Sequence, residues 1–566
     1  MKQIIECVPN YSEGRDRSVI DRIVAAISTV DGVKVLDVDP GEATNRTVVT
    51  FVGAPEAVCE AAFRGAGKAK ELIDMRLHHG AHPRSGATDV LPLIPVSGIT
   101  LEECAALARG LAGRLYRELG IPCYCYVAAA FTPERRNLAV CRAGEYEALK
   151  EKMADPVRKP DFGGEYDEVA RRAGATNVGA RNFLVAVNFN LNTTSTRRAM
   201  AVAFDVRAKG RKAREGGSLT GKLLKDENGN QRWIPGTLKG CKAIGWYIDE
   251  YGIAQVSMNI TDINVTPLHV AFEEVCRAAS VRGLRVTGAE IVGLVPKRVL
   301  LEAGRFYLER QQRSLGIPEE EIIRMAVMSM SLDDLKPFDA REKVIEYLME
   351  DPEEKARQER LVRMTVRGFA RETASESAAP GGGSISAYMG ALGAALSTMV
   401  ANLSAHKRGW DDRWKAFSDV AEKGQALLEE LLALVDEDTA AFNRIMDVFS
   451  MPRNTPEEKE ARAKALQETT LYAASVPLHT MEASLKALPL ALEMARKGNP
   501  ASASDAGVAA LAAVAGIRGA HLNVRINAAG LEDQAPARPL LERAAAIEKE
   551  ALSLQEEVLA AVNANI

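Results

Sequence analysis

Residues 33–53, VKVLDVDPGEATNRTVVTFVG, decide the fold class of the first half of the chain. Val33 to Asp39 and Thr47 to Val52 are apolar runs of strand length, and the amphipathic stretch Pro55 to Ile73 follows them. Working outward, Ile4 to Val8 and Val90 to Val96 read as further strands and Leu101 to Leu119 as a second helix. The pattern then comes round again. Strands are expected near Phe183 to Leu191, Ala243 to Ile248, Ala254 to Ile260 and Leu284 to Val292, with helices near Arg197 to Val206 and Pro267 to Arg282. Two similar β-α-β-β-α-β units suited to packing together result, and a ligand cleft between them is the natural outcome.

At 566 residues the chain has room for three or four domains. Its net charge of -4 offers no global field for nucleic acid or an anionic membrane, so the substrate is expected to be small and any anion site local. Eight cysteines without a CxxC pair or disulfide-dense spacing read as reduced and buried. The first ten residues lack a secretory apolar core, which makes the expected location cytoplasmic.

Between Lys209 and Lys239 lies a polar, basic segment with an Asn228-Gly229 turn, read either as a solvated hairpin or as a rim that meets carboxylates. Glu342 to Arg363 reads as a charge-rich helix containing the interdomain linker. Beyond it strand patterns cease. Ala- and Leu-rich amphipathic segments punctuated by Pro452, Pro477, Pro489 and Pro500 indicate an all-helical domain. Ala378 to Ala405 carries no charge and is long enough to span a bilayer, but its Gly, Ser, Thr and Ala content predicts a tightly packed buried helix.

Three of the seven histidines, His78, His79 and His82, fall within HHGAHPRSGATD. Gly80 and Pro83 oppose a helix that would aim two of them at one metal, and no cysteine completes a zinc spacing. Proton transfer from a loop at a cleft is the alternative, since imidazole titrates near neutrality.

The segments ECVPNYSEG (6–14), LDVDPGEATNRTVVTFVG (36–53), HHGAHPRSGATDVLPLIPV (78–96), GEYEAL (144–149), PDFG (160–163) and GATNVGARNFLVAVN (174–188) resemble the glutamate formimidoyltransferase family over residues 1 to about 327. The resemblance implies transfer of a formimidoyl carbon between the amine of glutamate and N5 of tetrahydrofolate, with His82 of the G-x-H-P-R motif as acid and base. One imidazole can take the proton of the attacking amine and return it to the departing one. Asp39 is a candidate to orient that imidazole and stabilise the cationic amidine carbon, the alternative being a turn or cap. Arg46 and Arg84 are candidates to grip the two carboxylates of glutamate, or else are surface ion pairs. The resemblance also places Gly163, Gly164 and Gly174 along the folate pocket, although GEYDEVARRA between them departs from the Pro- and Ser-rich run of the family.

In the second half, SAAPGGGSISAYMGALGAAL (377–396) resembles the opening shared by formimidoyltetrahydrofolate cyclodeaminases and methenyltetrahydrofolate cyclohydrolases, making Gly382 and Ser384 candidate substrate contacts. In LLEELLALVDEDTAAFNRIM (427–446), Leu428, Leu431, Val435, Asp438, Phe442 and Ile445 follow a spacing of three and four, so Asp438 interrupts an apolar stripe. A carboxylate facing a core pays desolvation, its pKa rises, and proton transfer near neutrality becomes available. Asp436 is expected to point elsewhere and be solvated. The family resemblance independently assigns catalysis to the second acid of V-D-x-D, which is Asp438. Asp505 is a helix cap or a site residue, and His479, His521 and Asn523 are possible pterin partners.

The expected architecture is therefore two ferredoxin-like α+β subdomains, 1–181 and 182–327, a linker at 328–360, and an all-α cyclodeaminase domain at 361–566. The resemblance implies a bifunctional enzyme of histidine degradation that uses polyglutamylated tetrahydrofolate as substrate and carrier, needs no metal, binds neither nucleic acid nor membrane, and assembles into a ring-like homo-oligomer. Two alternatives stand beside it: a transferase fused to a cyclohydrolase, and a folate-binding scaffold without turnover.

Overall fold

The computed structural model describes residues 3–42, 44–80, 83–217 and 221–566. It divides the chain into two compact units, one formed by Met1–Glu302 with Met330–Met349 and the other by Ala303–Ser329 with Glu350–Ile566.

The first unit is built on two sheets. In the larger, β1 (Ile4–Cys7) and β2 (Asn10–Tyr11) follow one another between β4 (Arg46–Gly53) and β5 (Thr88–Ser97), while β3 (Val33–Gly41) pairs with the outer side of β4. All of these pairings are antiparallel. The sheet then continues beyond the expected unit: β7 (Thr176–Ala180) runs parallel to β5, and β6 (Cys123–Val127) runs parallel to β7. Parallel neighbours require a crossover, and α3 (Leu101–Leu119), introduced after α1 (Arg17–Ser28) and α2 (Pro55–Leu72), lies in the chain between β5 and its parallel neighbour β7. Its ends are fixed locally: Thr100 and Glu103 form a reciprocal capping box, and Gly120 closes the helix at φ 71°.

The second sheet holds β8 (Val185–Leu191), β11 (Cys241–Ile248), β12 (Ile253–Ile260) and β13 (Val286–Val292) in the antiparallel order β11-β12-β8-β13. A separate ribbon, β9 (Arg211–Lys212) with β10 (Trp233–Ile234), belongs to the basic segment, whose turn is held by the Asp226 carboxylate accepting from the amides of Asn228 and Asn230.

Alternation along the strands makes the cleft. On β4, Val49 and Phe51 are fully buried in the core beneath the helices, whereas Arg46, Val48 and Thr50 face the opposite way. Glu6, Val8 and Asn10 share that second face, as do Asp37 and Asp39 on β3.

The second unit is helical. Gly382–Ala405, Trp414–Phe449, Pro456–Lys497, Ala503–Ala529 and Arg538–Asn563 enclose a core rich in alanine. The charge-free helix Gly382–Ala405 is packed among three others as expected, because its small side chains admit close neighbours: Gly393 lies against Ala509 and Gly516 against Ser386. Several of its hydroxyls are satisfied within the helix, Ser397 donating to the Gly393 carbonyl at 3.0 Å and Ser404 to the Val400 carbonyl at 2.6 Å.

Two expectations about helix boundaries fail. Pro477 and Pro489 do not separate helices but lie inside the 42-residue helix Pro456–Lys497, where burial outweighs the lost backbone hydrogen bonds. The charge-rich stretch after residue 340 is not one helix but three short ones, Ala340–Lys343, Ile345–Met349 and Pro352–Gln358. Val344 interrupts it because its backbone is extended and bridges Val295.

Candidate active site

In the first unit a cleft of about 700 Å³ is lined by the polar face of the larger sheet, by Lys242 and Asn259 from the second, and by Asp262 just after β12. Asp39 and Arg46 both line it. Burial lowers the pKa of Arg46, while the nearby carboxylates of Asp89 and Asp39 act in the opposite direction.

The histidine loop is tied to this sheet at Asn45, whose side chain donates to the His79 carbonyl at 3.0 Å and to whose own carbonyl His78 Nε2 donates at 2.8 Å. A proton on Nε2 leaves Nδ1 as the acceptor facing Arg84 Nε at 3.4 Å, and burial lowers the His78 pKa, so His78 is a neutral structural residue. His79 is exposed. His82 lies outside the described residues.

Arg84 is not at the cleft. It is buried between Glu147 at 2.6 Å and Glu145 at 3.0 Å, and its carbonyl accepts from the Tyr146 amide, so the HPRSG and GEYEAL segments dock on one another. The bond to Glu147 holds the guanidinium strongly protonated. This arrangement corrects the expectation that Arg84 offers its fork to a substrate, since the fork is already occupied.

Gly163, Gly164 and Gly174 are likewise absent from the lining of this cleft. Gly163 and Gly164 pack toward Pro160 and Tyr116, and Gly174, at φ 70°, sits where a side chain would collide with the Ser85 carbonyl. Sequence reasoning missed the groups that do converge. Asp89, at the head of the apolar strand, is fully buried and engages Arg142 while accepting from the Ser85 amide at 2.8 Å. Glu6, on the cleft face of β1, is pushed up to about 7 by burial, with Arg181 opposing and Glu346 adding to the shift. The charge at the head of TDVLPLIPV was the available signal for Asp89; nothing marked Arg142 or Arg181.

The second unit carries a separate centre. Ser384, in the first turn of Gly382–Ala405, donates its hydroxyl to Asp438 Oδ2 at 3.0 Å, and Thr439 lies 3.3 Å from the same hydroxyl. A Cβ on Gly383 would overlap the Asp438 carboxylate, and one on Gly382 would stand 3.3 Å from the side chain of Asn523. The glycines thus let a carboxylate and an amide approach the helix N-terminus closely. Burial raises the Asp438 pKa, and the Ser384 hydroxyl and amide partly restrain it.

Asp436 is not solvated. It accepts from the amides of Leu361 at 2.8 Å and Val362 at 3.2 Å, anchoring the segment that precedes the helix Val366–Thr373. Asp505 stands in the first turn of Ala503–Ala529, near the level of Ala509, whereas Asn523 at the other end meets Gly382. At 1.5 Å per residue the separation is about 27 Å, which keeps Asp505 away from Asp438 within one chain. His479 is exposed, and His521 is held by Glu548 at 2.5 Å, so of the three suggested polar partners the structure brings Asn523 alone to the centre.

Family models match along the chain in the same order as these sites: the Formiminotransferase domain, N-terminal subdomain, at residues 4–181, the Formiminotransferase domain at 186–350, and Formiminotransferase-cyclodeaminase at 365–546. A formimidoyltransferase-cyclodeaminase of Mus musculus is 44% identical over 94% of both chains. The chain belongs to the formimidoyltransferase-cyclodeaminase family. Each half also has single-domain relatives. A glutamate formimidoyltransferase of Thermoplasma acidophilum is 40% identical over 54% of this chain and 92% of its own length. A methenyltetrahydrofolate cyclohydrolase of Methylorubrum extorquens is 39% identical over 36% of this chain and 97% of its own. The family thus joins a transferase to a folate-handling helical domain, and the two centres described above fall one in each.

Proposed function

We propose that the cleft-bearing unit transfers the formimidoyl group of N-formimidoyl-L-glutamate to N5 of tetrahydrofolate, releasing glutamate, and that the helical unit closes the product to 5,10-methenyltetrahydrofolate with loss of ammonia. Relatives bearing the name of both activities align with nearly the whole chain, and this observation carries the reading.

In the transferase half, His82 moves the proton between attacking and departing amines. Asp39 lines the cleft beside Arg46, where a carboxylate would stabilise the amidinium that forms. In the helical half, one group must accept a proton as N10 attacks and donate one as ammonia leaves. Asp438, buried enough to have a raised pKa yet hydrogen-bonded by Ser384, suits both steps.

The finer assignments follow from this reading. The order β3-β4-β1-β5 in the larger sheet and β11-β12-β8-β13 in the smaller supports two ferredoxin-like subdomains; the proposed division along the sequence is 1–181 and 182–327, a linker at 328–360 and the cyclodeaminase domain at 361–566. The basic segment 209–239 would hold the polyglutamate tail of the folate without a metal. Exposed Met389, Leu392, Met399 and Leu403, spaced along one helix, support a homo-oligomer, ring-like as in the family. The protein would act in the cytoplasm, in histidine breakdown.

The cyclohydrolase relative of the helical half favours a second reading, in which this unit hydrates methenyltetrahydrofolate instead. Supplying 5-formimidoyltetrahydrofolate and, in a parallel assay, methenyltetrahydrofolate, and following ammonia and methenyltetrahydrofolate in each, separates them. One ammonia per methenyltetrahydrofolate is the expected result, and consumption of methenyltetrahydrofolate without ammonia would give the cyclohydrolase reading.

A further inference from the structure

With Arg84 locked between Glu145 and Glu147, the cleft must grip its anionic substrate elsewhere. Arg142 ends the short helix Leu138–Arg142 and lines the cleft with Arg46. Its Nε lies 3.3 Å from Asp89 Oδ1 and its Nη2 contacts Oδ2, so a fully buried carboxylate fixes the plane of the guanidinium from behind. Nη1 is left over by that pairing. Asp89 also accepts from the Ser85 amide, so one carboxylate ties Arg142 to the loop carrying the histidines.

We infer that Arg142 and Arg46 form the subsite for the two carboxylates of the formimidoyl donor, with Asp89 as the residue that positions Arg142. This rests on the transferase reading above. The physical case is geometric: an arginine whose fork is already oriented loses less side-chain freedom on binding, and two guanidiniums that line one cleft close enough for the charge of Arg142 to act on Arg46 match an amino acid with two carboxylates. A buried Asp89 is tolerable because Arg142 and a backbone amide satisfy it.

The test is steady-state kinetics of the full chain with N-formimidoyl-L-glutamate and tetrahydrofolate, together with calorimetric binding of L-glutamate. Arg142→Met is expected to raise KM for the donor and weaken glutamate binding at least 10-fold, while KM for tetrahydrofolate changes less than threefold. Arg142→Lys, which keeps charge and bulk, should recover only part of the loss because an ammonium cannot fork. Asp89→Asn should give an intermediate increase in donor KM. Of two donor analogues, each lacking one carboxylate, one should lose turnover on wild type but lose no more on Arg142→Met. Unchanged donor KM in both Arg142 variants, or a rise confined to tetrahydrofolate, would overturn the inference. Wild-type protein that transfers no formimidoyl group at all would instead remove the functional reading beneath it.

Discussion

Ser384 and Asp438, fifty-four positions apart, meet through a 3.0 Å hydrogen bond between the first turn of one long helix and the middle of the next. The bond favours the ionised carboxylate, while burial favours the neutral one and prevails, leaving the pKa raised. Removing the hydroxyl removes a restraint. Ser384→Ala should therefore move the pH-rate limb that reports Asp438 toward higher pH. Activity profiles of both proteins for 5-formimidoyltetrahydrofolate check the sign, and a shift to lower pH would contradict it.

Gly383 leaves the space that the Asp438 carboxylate fills. Gly383→Ala should displace that carboxylate and reduce cyclodeamination about 100-fold, the order of loss expected from a misplacement near 1 Å, with formimidoyl transfer unchanged. Separate assays of the two steps measure the difference.

Glu6 gives a stability prediction. Its folded pKa, about 7, exceeds the ordinary 4.5, so the folded state holds a proton that the unfolded chain has released between those values. Stability from this group is fully present below pH 4.5 and is lost as pH rises through 7, a span worth about 3 kcal/mol. Glu6→Gln should consequently be more stable than wild type at pH 8 and nearly equal at pH 4.5. Urea unfolding at the two pH values tests this.

Asp436 should behave as an anchor. Asp436→Ala deprives the Leu361 and Val362 amides of their acceptor and should cost about 1–3 kcal/mol, whereas Asp436→Asn, which retains an acceptor oxygen, should cost less. Denaturant midpoints report both, and equal stability of the alanine variant would refute the role.

Much of this was legible in the sequence because it is periodic. The strand runs around residues 33–53 and the interruption of an apolar stripe by Asp438 are patterns of period two and near 3.6, and both appear where expected as far as Asp438, beyond which Phe442 is exposed. What periodicity does not encode is pairing between distant segments. Arg84 looked available because nothing local revealed Glu145 and Glu147, about sixty residues away. Asp436 looked solvated because its partners are amides seventy-five and seventy-four positions earlier. Pro477 and Pro489 read as helix ends because the cost of proline is local while the packing that offsets it is not.

The central claim is that two independent centres in one chain perform consecutive steps. Its most direct test follows methenyltetrahydrofolate and ammonia together, from formimidoylglutamate and tetrahydrofolate, with His82→Ala and Asp438→Asn variants alone and mixed. The account predicts that the His82 variant forms neither product, the Asp438 variant stalls at 5-formimidoyltetrahydrofolate, and the mixture restores both. A folded His82 variant that also fails to convert supplied 5-formimidoyltetrahydrofolate, or a mixture that stays inert, would contradict it.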